Sequence, residues 1–425
     1  MHEPARQARR PLRGLTGVGG PSKKSPPAKM TASMDDLETL RARIDETDRR
    51  LLETLAARLE KVAEVGRLKA KGAPFLRDLD RETRLLARVE AISRELGLDP
   101  FRATEIFREI IAMSVKVQEE ALLDRKVKER ALGNARRVAF QGAEGAYSHL
   151  AARKYFGDRE GAMEFCGFPT FVRALREAES GAAGYAFLPI ENTTAGSINE
   201  TYDLLRHTDL KIVGEEILEV RHCLLSLPGA SVLGITRVVS HPQALAQCSH
   251  FLTELSGVAA VPFIDTAEAA RHVKETGDPA LAAIASEEAG QHHGLEVLRR
   301  DVADQEENWT RFVVVSTVAI TPDPRIPTKT SLVFSTPHRH GALAHCLNLL
   351  DAHGLNLTKL ESRPVPRHPW EYLFYVDFEG AETEDAATRA IAALSAECPY
   401  LKVLGSYPAR TTKKGRVDRL PQGAP

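Results

Sequence analysis

Residues 185–197 decide the fold, and they read Tyr-Ala-Phe-Leu-Pro-Ile-Glu-Asn-Thr-Thr-Ala-Gly-Ser. The apolar run from Tyr185 to Ile190 predicts a buried strand. The polar run from Glu191 to Ser197 follows directly and ends that strand. Because open α/β sheets bind ligands beyond the carboxyl ends of their strands, this stretch predicts an α/β domain whose binding site includes the polar residues.

Alternating strands and helices extend on both sides of this stretch. The pattern predicts helices near Ser148–Phe156 and Phe171–Ser180, and further strands at Arg136–Phe140, Glu164–Phe165, Lys211–Val213, His222–Ser226, Arg237–Ser240, Ala282–Ala285 and Arg311–Val315. Ser240–Gln243 again closes a strand with polar residues, and Gln247 follows one helical turn later. The alternation predicts a doubly wound sheet, for which two lobes around a cleft are one possible form.

Motifs for other chemistries are weak or missing in this segment. Gln141–Gly145 joins a strand to a helix, where backbone N–H groups can meet an anion, but it lacks the Gly-x-Gly-x-x-Gly pattern. No Gly-x-Ser-x-Gly elbow is present, which argues against a serine hydrolase. His292-His293 favours an exposed pair over a metal site, because no carboxylate or cysteine lies at ligand spacing. The His292-His293 pair therefore does not indicate a metal site.

A long helical pattern precedes the α/β segment. From Asp35 to about Lys71 the apolar residues recur at near-heptad spacing, at Leu37, Leu40, Ile44, Leu51, Leu55, Leu59, Val62 and Val65. A helix of this length extends about 55 Å and needs a partner, so it predicts dimerisation. Two more helices are predicted, from about Asp78 to Leu96 and from near Pro100 to about Leu132.

Cationic side chains on the first helix share one face. Arg58 and Lys69 lie within about 20° around the helix and about 16 Å apart along it, so they can grip a small anion. Arg41 lies too far along the helix for the same pocket, but it can reach the pocket of a partner chain. Two other sets share helix faces: Asp78 with Arg81 and Glu82, and Ser114 with Gln118. The alternative is a solvated face with charge pairs, which is common on helices.

The last segment predicts two helices, His340–His353 and Asp385–Glu397, among strands at Ser331–Ser335, Leu355–Arg363, Tyr372–Phe378 and Leu401–Tyr407. Their βαββαβ order is typical of a ferredoxin-like layer. This fold by itself names no function.

Composition and charge exclude several classes of protein. The 57 Lys+Arg and 58 Asp+Glu residues give a net charge of −1, which argues against a nucleic-acid binder. No apolar run approaches the roughly 18–20 residues of a membrane span. The 5 cysteines form no Cys-x-x-Cys pair, which argues against a disulfide framework and favours a reducing cytoplasm. The basic ends, residues 1–33 and 409–425, predict disordered tails.

The helical segment, residues 34–128, resembles the all-helical class of chorismate mutase. The matching residues are Leu40-Arg41, Ile44-Asp45, Asp48, Leu51-Leu52, Leu55, Arg58, Val65-Gly66, Lys69, Arg77-Asp78, Asp80-Arg81-Glu82, Ser114 and Gln118. In that family two chains interlock, and each pocket takes one arginine from the partner, which Arg41 matches. The resemblance implies that Arg41, Arg58 and Arg81 bind the carboxylates of chorismate. It implies that Lys69 and Gln118 face the ether oxygen, and that the ring and hydroxyl are oriented by Asp78, Glu82 and Ser114.

Residues 136–317 resemble the catalytic domain of prephenate dehydratase. The matched stretches are Gly142–Gly145 with Ala146–His149, Pro189–Ile198, Ser240–Gln243 with Gln247-Cys248, and Asn308–Phe312. Trp309 replaces the phenylalanine common there but keeps an aromatic ring. The resemblance implies that prephenate loses CO₂ and hydroxide in a cleft, with Thr310 as hydrogen-bond donor to the leaving hydroxyl. Candidate pocket residues are Asn192, Thr194, Ser240 and Gln247. Arg311 either binds a carboxylate or is structural, and His241 suits a structural role better.

Residues 328–408 resemble the ACT domain that follows prephenate dehydratase. The matched motifs are Gly341-Ala342-Leu343 and Glu361-Ser362-Arg363-Pro364. In that family they form a phenylalanine site between two chains, and binding there inhibits the enzyme. Gly341 also suits a helix start that admits a ligand carboxylate. Arg363 has the alternative of pairing only with Glu361.

Together the segments predict a multidomain protein with an all-α dimerising domain, a two-lobed α/β dehydratase domain and an α+β ferredoxin-like ACT domain. We predict an enzyme that takes chorismate through prephenate to phenylpyruvate, is inhibited by phenylalanine, and needs neither a cofactor nor a metal. Three alternatives stay open: a dehydratase whose mutase has decayed, a preference for arogenate over prephenate, and a phenylalanine-sensing or solute-binding protein without activity. The basic pocket argues against the first, and Lys69 with Thr310 argues against the last.

Overall fold

The computed structural model describes residues 34–69, 78–130, 136–157, 163–365 and 371–410. The chain divides after Lys61 into two units. The described part of the first unit is the beginning of helix α1, which runs Met34–Lys69. The N-terminal part of its predicted apolar stripe is exposed to solvent, with Leu40, Ile44 and Leu51 at 53%, 58% and 66% exposure. The predicted tails lie outside the described residues, except for Ala409 and Arg410.

Helices α2 (Leu79–Glu95) and α3 (Pro100–Arg130) begin the described part of the second unit after the end of α1. Asp78 begins α2 as its N-cap, because Oδ1 accepts the backbone N–H of Arg81 at 2.9 Å. Val89 of α2 and Ile111 of α3 are buried where the two helices pack. The three helices lie close to their predicted positions.

The α/β segment consists of the following elements in chain order: β1 (Arg137–Gln141), α4 (Tyr147–Phe156), β2 (Glu164–Phe168), α5 (Phe171–Glu179), β3 (Tyr185–Asn192), β4 (Gly196–Ser197), α6 (Asn199–His207), β5 (Lys211–Glu219), β6 (Cys223–Ser226), β7 (Arg237–Ser240), α7 (Pro242–Gln247), α8 (Ser249–Glu254), β8 (Ala259–Pro262), α9 (Thr266–Thr276), β9 (Leu281–Ala285), α10 (Glu287–His293), β10 (Glu296–Arg299) and β11 (Trp309–Ser316).

These strands form two sheets, which confirms the two-lobed form. The first has the order β2-β1-β3-β11-β5, with β4 paired to β3, and the second has the order β10-β6-β9-β7-β8. Both sheets are mixed. Strand β11 returns from the second lobe and runs antiparallel between β3 and β5. This return places Thr310 directly opposite Asn192, at the carboxyl end of β3.

The last segment has the predicted βαββαβ order. Its elements are β12 (Thr328–Ser335), α11 (Ala342–Ala352), β13 (Leu357–Pro364), β14 (Tyr372–Glu379), α12 (Asp385–Glu397) and β15 (Tyr400–Pro408). The strands form an antiparallel sheet with the order β13-β14-β12-β15. Gly341 precedes α11 with a φ of 73°, a left-handed conformation that suits glycine.

The C-terminal sheet shares a hydrophobic core with the first lobe. One buried cluster joins Leu188 and Val313 of the lobe to Val333, Tyr375 and Leu404 of this sheet. The two backbones also approach closely, because a Cβ at Gly405 would lie 2.2 Å from the carbonyl oxygen of Ile212. The C-terminal domain is therefore packed onto the lobe that carries Thr310.

Candidate active sites

A cleft of about 270 Å³ is lined by both lobes. The first lobe contributes Asn192, Thr310 and Phe312, and the second contributes His222 and Gln247. Most of these side chains are neutral and polar, so the cleft can direct hydrogen bonds to a ligand without carrying a large charge.

Asn192 fixes the hydroxyl group of Thr310. The Asn192 Nδ2 group donates to Thr310 Oγ1 at 2.9 Å and to Asn308 Oδ1 at 2.7 Å. Its Oδ1 atom accepts the backbone N–H groups of Thr194 at 3.0 Å and Ala195 at 2.8 Å, which sets the orientation of the amide. Because Thr310 Oγ1 accepts the Asn192 hydrogen, its own proton can be donated to a group in the cleft.

Gln247 joins this group from the second lobe. Its Nε2 atom donates to Thr194 Oγ1 at 2.5 Å and lies 3.3 Å from Asn192 Oδ1. Its Oε1 atom accepts Asn308 Nδ2 at 3.2 Å. The structure thus brings together four residues that the sequence singled out: Asn192, Thr194, Gln247 and Thr310.

Ser240 and Arg311 lie outside the cleft lining. The Ser240 hydroxyl is fully buried and donates to the carbonyl of Ile284 at 2.5 Å, within the second sheet. Arg311 lies next to Thr310, but alternation along β11 points its guanidinium toward the C-terminal domain. There its Nε atom is 2.7 Å from Glu215 and its Nη2 atom is 2.8 Å from Asp377. This geometry favours the structural alternative for Arg311 and gives Ser240 a structural bond.

The charge of Arg311 is maintained by its neighbours. Burial opposes the charged guanidinium, but Asp377 and Glu215 hold the pKa of Arg311 well above its usual value. Lys329 adds a second cation, with Nζ 3.2 Å from Glu215, and burial of this ammonium lowers its pKa. Two buried cations therefore face two buried carboxylates between the first lobe and the C-terminal sheet.

Tyr147, His222 and Asp265 are polar cleft residues that were not among the predicted site residues. Tyr147 and His222 line the cleft and hydrogen-bond to each other at 3.0 Å. Asp265 also lines it and caps α9 through bonds to the N–H groups of Ala267 and Glu268. Partial burial raises the pKa of Asp265 above its usual range. His241 also lines the cleft and caps α7 by accepting the Gln243 N–H at 3.3 Å.

Four candidate mutase residues of the second unit lie at the end of α1 and the start of α2: Lys69, Asp78, Arg81 and Glu82. Burial and the nearby Arg81 lower the pKa of Lys69, whereas Asp78 and Glu82 raise it, so all four groups share one electrostatic environment. Arg41 and Arg58 lie on the part of α1 that belongs to the first unit.

Ser114 and Gln118 lie one turn apart on α3. The Ser114 hydroxyl donates to the Ile110 carbonyl at 2.6 Å, and Gln118 Nε2 donates to the Ser114 carbonyl at 3.2 Å. Gln118 Oε1 is buried and has no hydrogen-bond partner among the described residues. Burying an amide oxygen without a hydrogen-bond partner costs free energy. This arrangement suits a residue whose oxygen accepts a hydrogen bond from a bound ligand.

The two ACT motifs lie at different places. Gly341, Ala342 and Leu343 line a cavity of about 280 Å³ together with Phe374 and other residues. The residues Glu361, Ser362, Arg363 and Pro364 lie on β13. Arg363 Nη2 pairs with Asp203 of α6 at 3.2 Å rather than with Glu361. Its Nε and Nη1 atoms are buried and lack hydrogen-bond partners in the described chain.

Known protein families match the same three segments of the chain. Family models match as "Chorismate mutase type II" over residues 40–119, "Prephenate dehydratase" over 138–319 and "ACT domain" over 330–396. A bifunctional chorismate mutase/prephenate dehydratase of Enterobacter agglomerans is 38% identical over 383 residues, covering 90% of this chain and 98% of the relative. No helix in the described residues is long and apolar enough to cross a membrane.

Two solved structures resemble the chain at a TM-score of 0.58, each over 64% of it. One is a prephenate dehydratase of Arthrobacter aurescens in complex with L-Phe, which is 30% identical and matched over 90% of its length. The other, GqqA, is described as a novel type of quorum-quenching acylase; it is 38% identical and matched over 98% of its length. The matches to all three segments and the near-complete overlap with the Enterobacter relative place this chain in the family of bifunctional chorismate mutase/prephenate dehydratase enzymes.

Proposed function

We propose that the cleft performs the dehydratase step with Thr310 as the hydrogen-bond donor to the leaving hydroxyl of prephenate. When the bond to the departing carboxylate breaks, its electron pair enters the ring and expels hydroxide, so CO₂ and hydroxide leave and phenylpyruvate remains. No nucleophile is required, and the leaving oxygen needs a proton or a strong hydrogen bond. The observation that carries this proposal is the Asn192 donation to Thr310, which leaves the Thr310 proton available.

The same contact disfavours acyl transfer, the chemistry that the description of GqqA names. A threonine nucleophile must give its proton to a base. Among the described residues, the polar side chains that contact Thr310 Oγ1 are limited to the donor Asn192. Conversion of added prephenate to phenylpyruvate tests the dehydratase proposal, and failure to form phenylpyruvate would contradict it.

For the mutase step we propose that Lys69 and Gln118 stabilise the ether oxygen of chorismate, while Arg41, Arg58 and Arg81 bind its carboxylates. Asp78, Glu82 and Ser114 then orient the ring and hydroxyl. The rearrangement breaks one C–O bond and forms one C–C bond within a single molecule, so the protein supplies a held conformation and positive charge. Support comes from the shared environment of Lys69, Asp78, Arg81 and Glu82.

We also propose a homodimer in which the exposed stripe of α1 packs against a second copy of the chain. The exposed fraction is at least 48% for each of five apolar residues of α1, namely Leu37, Leu40, Ile44, Leu51 and Leu52. Exposing this much apolar surface to water is unfavourable in free energy for a single helix. In such a dimer, Arg41 of one chain completes the pocket that contains Lys69 of the other.

Mixed dimers test the shared pocket. Arg41→Ala and Lys69→Ala chains are each expected to lack mutase activity. After unfolding and refolding together, the mixture should regain part of that activity, because one pocket of each mixed dimer then carries both residues. Tagged chains purified in tandem verify the mixing. Inactive mixed dimers would contradict the shared pocket.

Finally, we propose that phenylalanine binds the C-terminal domain and inhibits the dehydratase. The cavity beside Gly341 and the unpaired nitrogens of Arg363 support binding. Two contacts support a route to the cleft. Lys359, on the same strand as Arg363, pairs with Glu191 at 3.2 Å. Glu191 immediately precedes Asn192, which bonds Thr310.

Lys359→Met tests this route. Dehydratase turnover without phenylalanine should remain near the wild-type value, whereas the concentration for half-inhibition should rise at least about fivefold, the lower end of ordinary coupling. Lys402→Met is the matched control, because Lys402 also joins the C-terminal sheet to the lobe but donates to backbone carbonyls at the end of α6. Calorimetry should show that phenylalanine still binds the Lys359 variant. Wild-type inhibition of this variant would contradict the route.

A further inference from the structure

We propose that His222 is a positioning residue for the dehydratase step, acting through Gln247. The inference rests on the proposed function of the cleft and assigns it one more residue. His222 precedes β6, is only 2% exposed and lines the cleft. Its Nε2 atom lies 3.0 Å from Gln247 Oε1, and its Nδ1 atom lies 3.0 Å from the Tyr147 hydroxyl.

The direction of each hydrogen bond follows from backbone groups whose identity is certain. The N–H groups of Thr194 and Ala195 both donate to one atom of the Asn192 amide, so that atom is the oxygen. Gln247 approaches this oxygen at 3.3 Å and must do so with its Nε2 donor. The Gln247 oxygen then faces His222 and Asn308, and both of them donate to it.

This order fixes the state of the His222 ring. Because Gln247 Oε1 only accepts, the hydrogen must sit on His222 Nε2. Burial lowers the pKa of His222, which favours the neutral ring. The Tyr147 hydroxyl donates to the Arg221 carbonyl at 2.7 Å and lies 3.0 Å from His222 Nδ1, and its ring stands edge-on to His222 at 5.5 Å.

The bond from His222 holds the amide that joins the lobes. Gln247 belongs to α7 of the second lobe, whereas its partners Asn192, Thr194 and Asn308 belong to the first. Without the His222 donor, one of the two hydrogen bonds to Gln247 Oε1 is lost and the amide can rotate. Rotation would turn Gln247 Oε1 toward Asn192 Oδ1. The two oxygens would repel each other, and the Asn192 amide, which positions Thr310, would be displaced.

A series of substitutions separates this role from simple packing. His222→Phe keeps a ring but removes both nitrogens, and it should lower dehydratase kcat about 10- to 100-fold, as small misplacements of catalytic groups do. The KM for prephenate should change little. His222→Gln can place an N–H near the position of Nε2 and should restore most of kcat. His222→Asn is equally polar but too short to reach Gln247, so it should remain impaired.

A double-mutant cycle adds a readout that packing alone does not predict. If His222 acts through Gln247, adding His222→Phe to Gln247→Leu should lower kcat no further than Gln247→Leu alone. His272→Phe is the matched control, because His272 stacks on Phe263 in the same lobe, away from the cleft, and should leave activity unchanged. Mutase activity of the same purified chains monitors folding.

Three results would overturn the proposal: wild-type kcat for His222→Phe, equal losses for His222→Gln and His222→Asn, or additive effects in the cycle. If His222→Phe fails to fold, the comparison of the Gln and Asn variants decides the matter. A wild-type protein that does not convert prephenate would contradict the proposed function itself, which is a different outcome from any of these three.

Discussion

Thr310→Ala is expected to lower prephenate dehydratase turnover by about 10²- to 10⁴-fold, the usual contribution of a positioned proton donor. Mutase activity should be unchanged, because Thr310 lies in the cleft between the lobes. In this variant the Asn192 Nδ2 group would still point to the position that Thr310 Oγ1 occupies in the wild type, but no hydroxyl proton would face the departing oxygen.

Thr310→Ser is the matched control for this prediction. It keeps the hydroxyl and removes one methyl group, so most of the dehydratase turnover should remain. Steady-state formation of phenylpyruvate from prephenate measures both variants. Equal rates for wild type and Thr310→Ala would refute the role of Thr310, whereas loss of mutase activity would indicate damage to the fold.

Lys69→Ala is expected to lower chorismate mutase turnover by about 10²-fold or more, because it removes a cation from the oxygen that gains charge in the transition state. Dehydratase activity should be unaffected. Lys61→Ala is the matched control, since Lys61 is an exposed lysine on the same helix. A parallel fall in both activities would mean that the two sites are coupled or that the fold is damaged.

The pH dependence of the mutase provides a second readout for Lys69. Burial and the nearby Arg81 lower the pKa of Lys69 from its ordinary value of 10.5. Because the protonated ammonium is the active form, mutase turnover should be lost as pH rises through this lowered pKa. The loss should therefore occur at a lower pH than for an ordinary lysine. A flat alkaline limb in the wild type would argue against Lys69 as the charged donor.

The sequence predicted best those features that depend on local pattern. The apolar run Tyr185–Ile190 became part of the buried strand β3, and helix α2 has the predicted Asp78 as its N-cap. Two elements of the second lobe were harder to predict from the sequence. Strand β8 (Ala259–Pro262) is exposed along its whole length, so its sequence lacks the alternation of apolar and polar residues that is typical of a half-buried strand. Helix α9 buries Ala267, Ala269 and Ala270, and such small residues give a weak apolar period.

The site was predictable where motifs place residues at strand ends, as for Asn192 and Thr310. The environment of Arg311 was not, because its partners Glu215, Asp377 and Tyr407 come from separate strands far apart in the chain. Only the packing of the C-terminal sheet on β5 and β11 brings them together. His222 was likewise assigned only to the start of a strand, since its role depends on Gln247 and Tyr147 from other elements.

The most direct test of the account feeds chorismate to the purified protein and measures phenylpyruvate with and without phenylalanine. We expect phenylpyruvate to form from chorismate alone, because both steps reside in this chain, and its formation to fall when phenylalanine is added. Product from prephenate but not from chorismate would contradict the mutase assignment. Absence of product from both substrates would contradict the account as a whole.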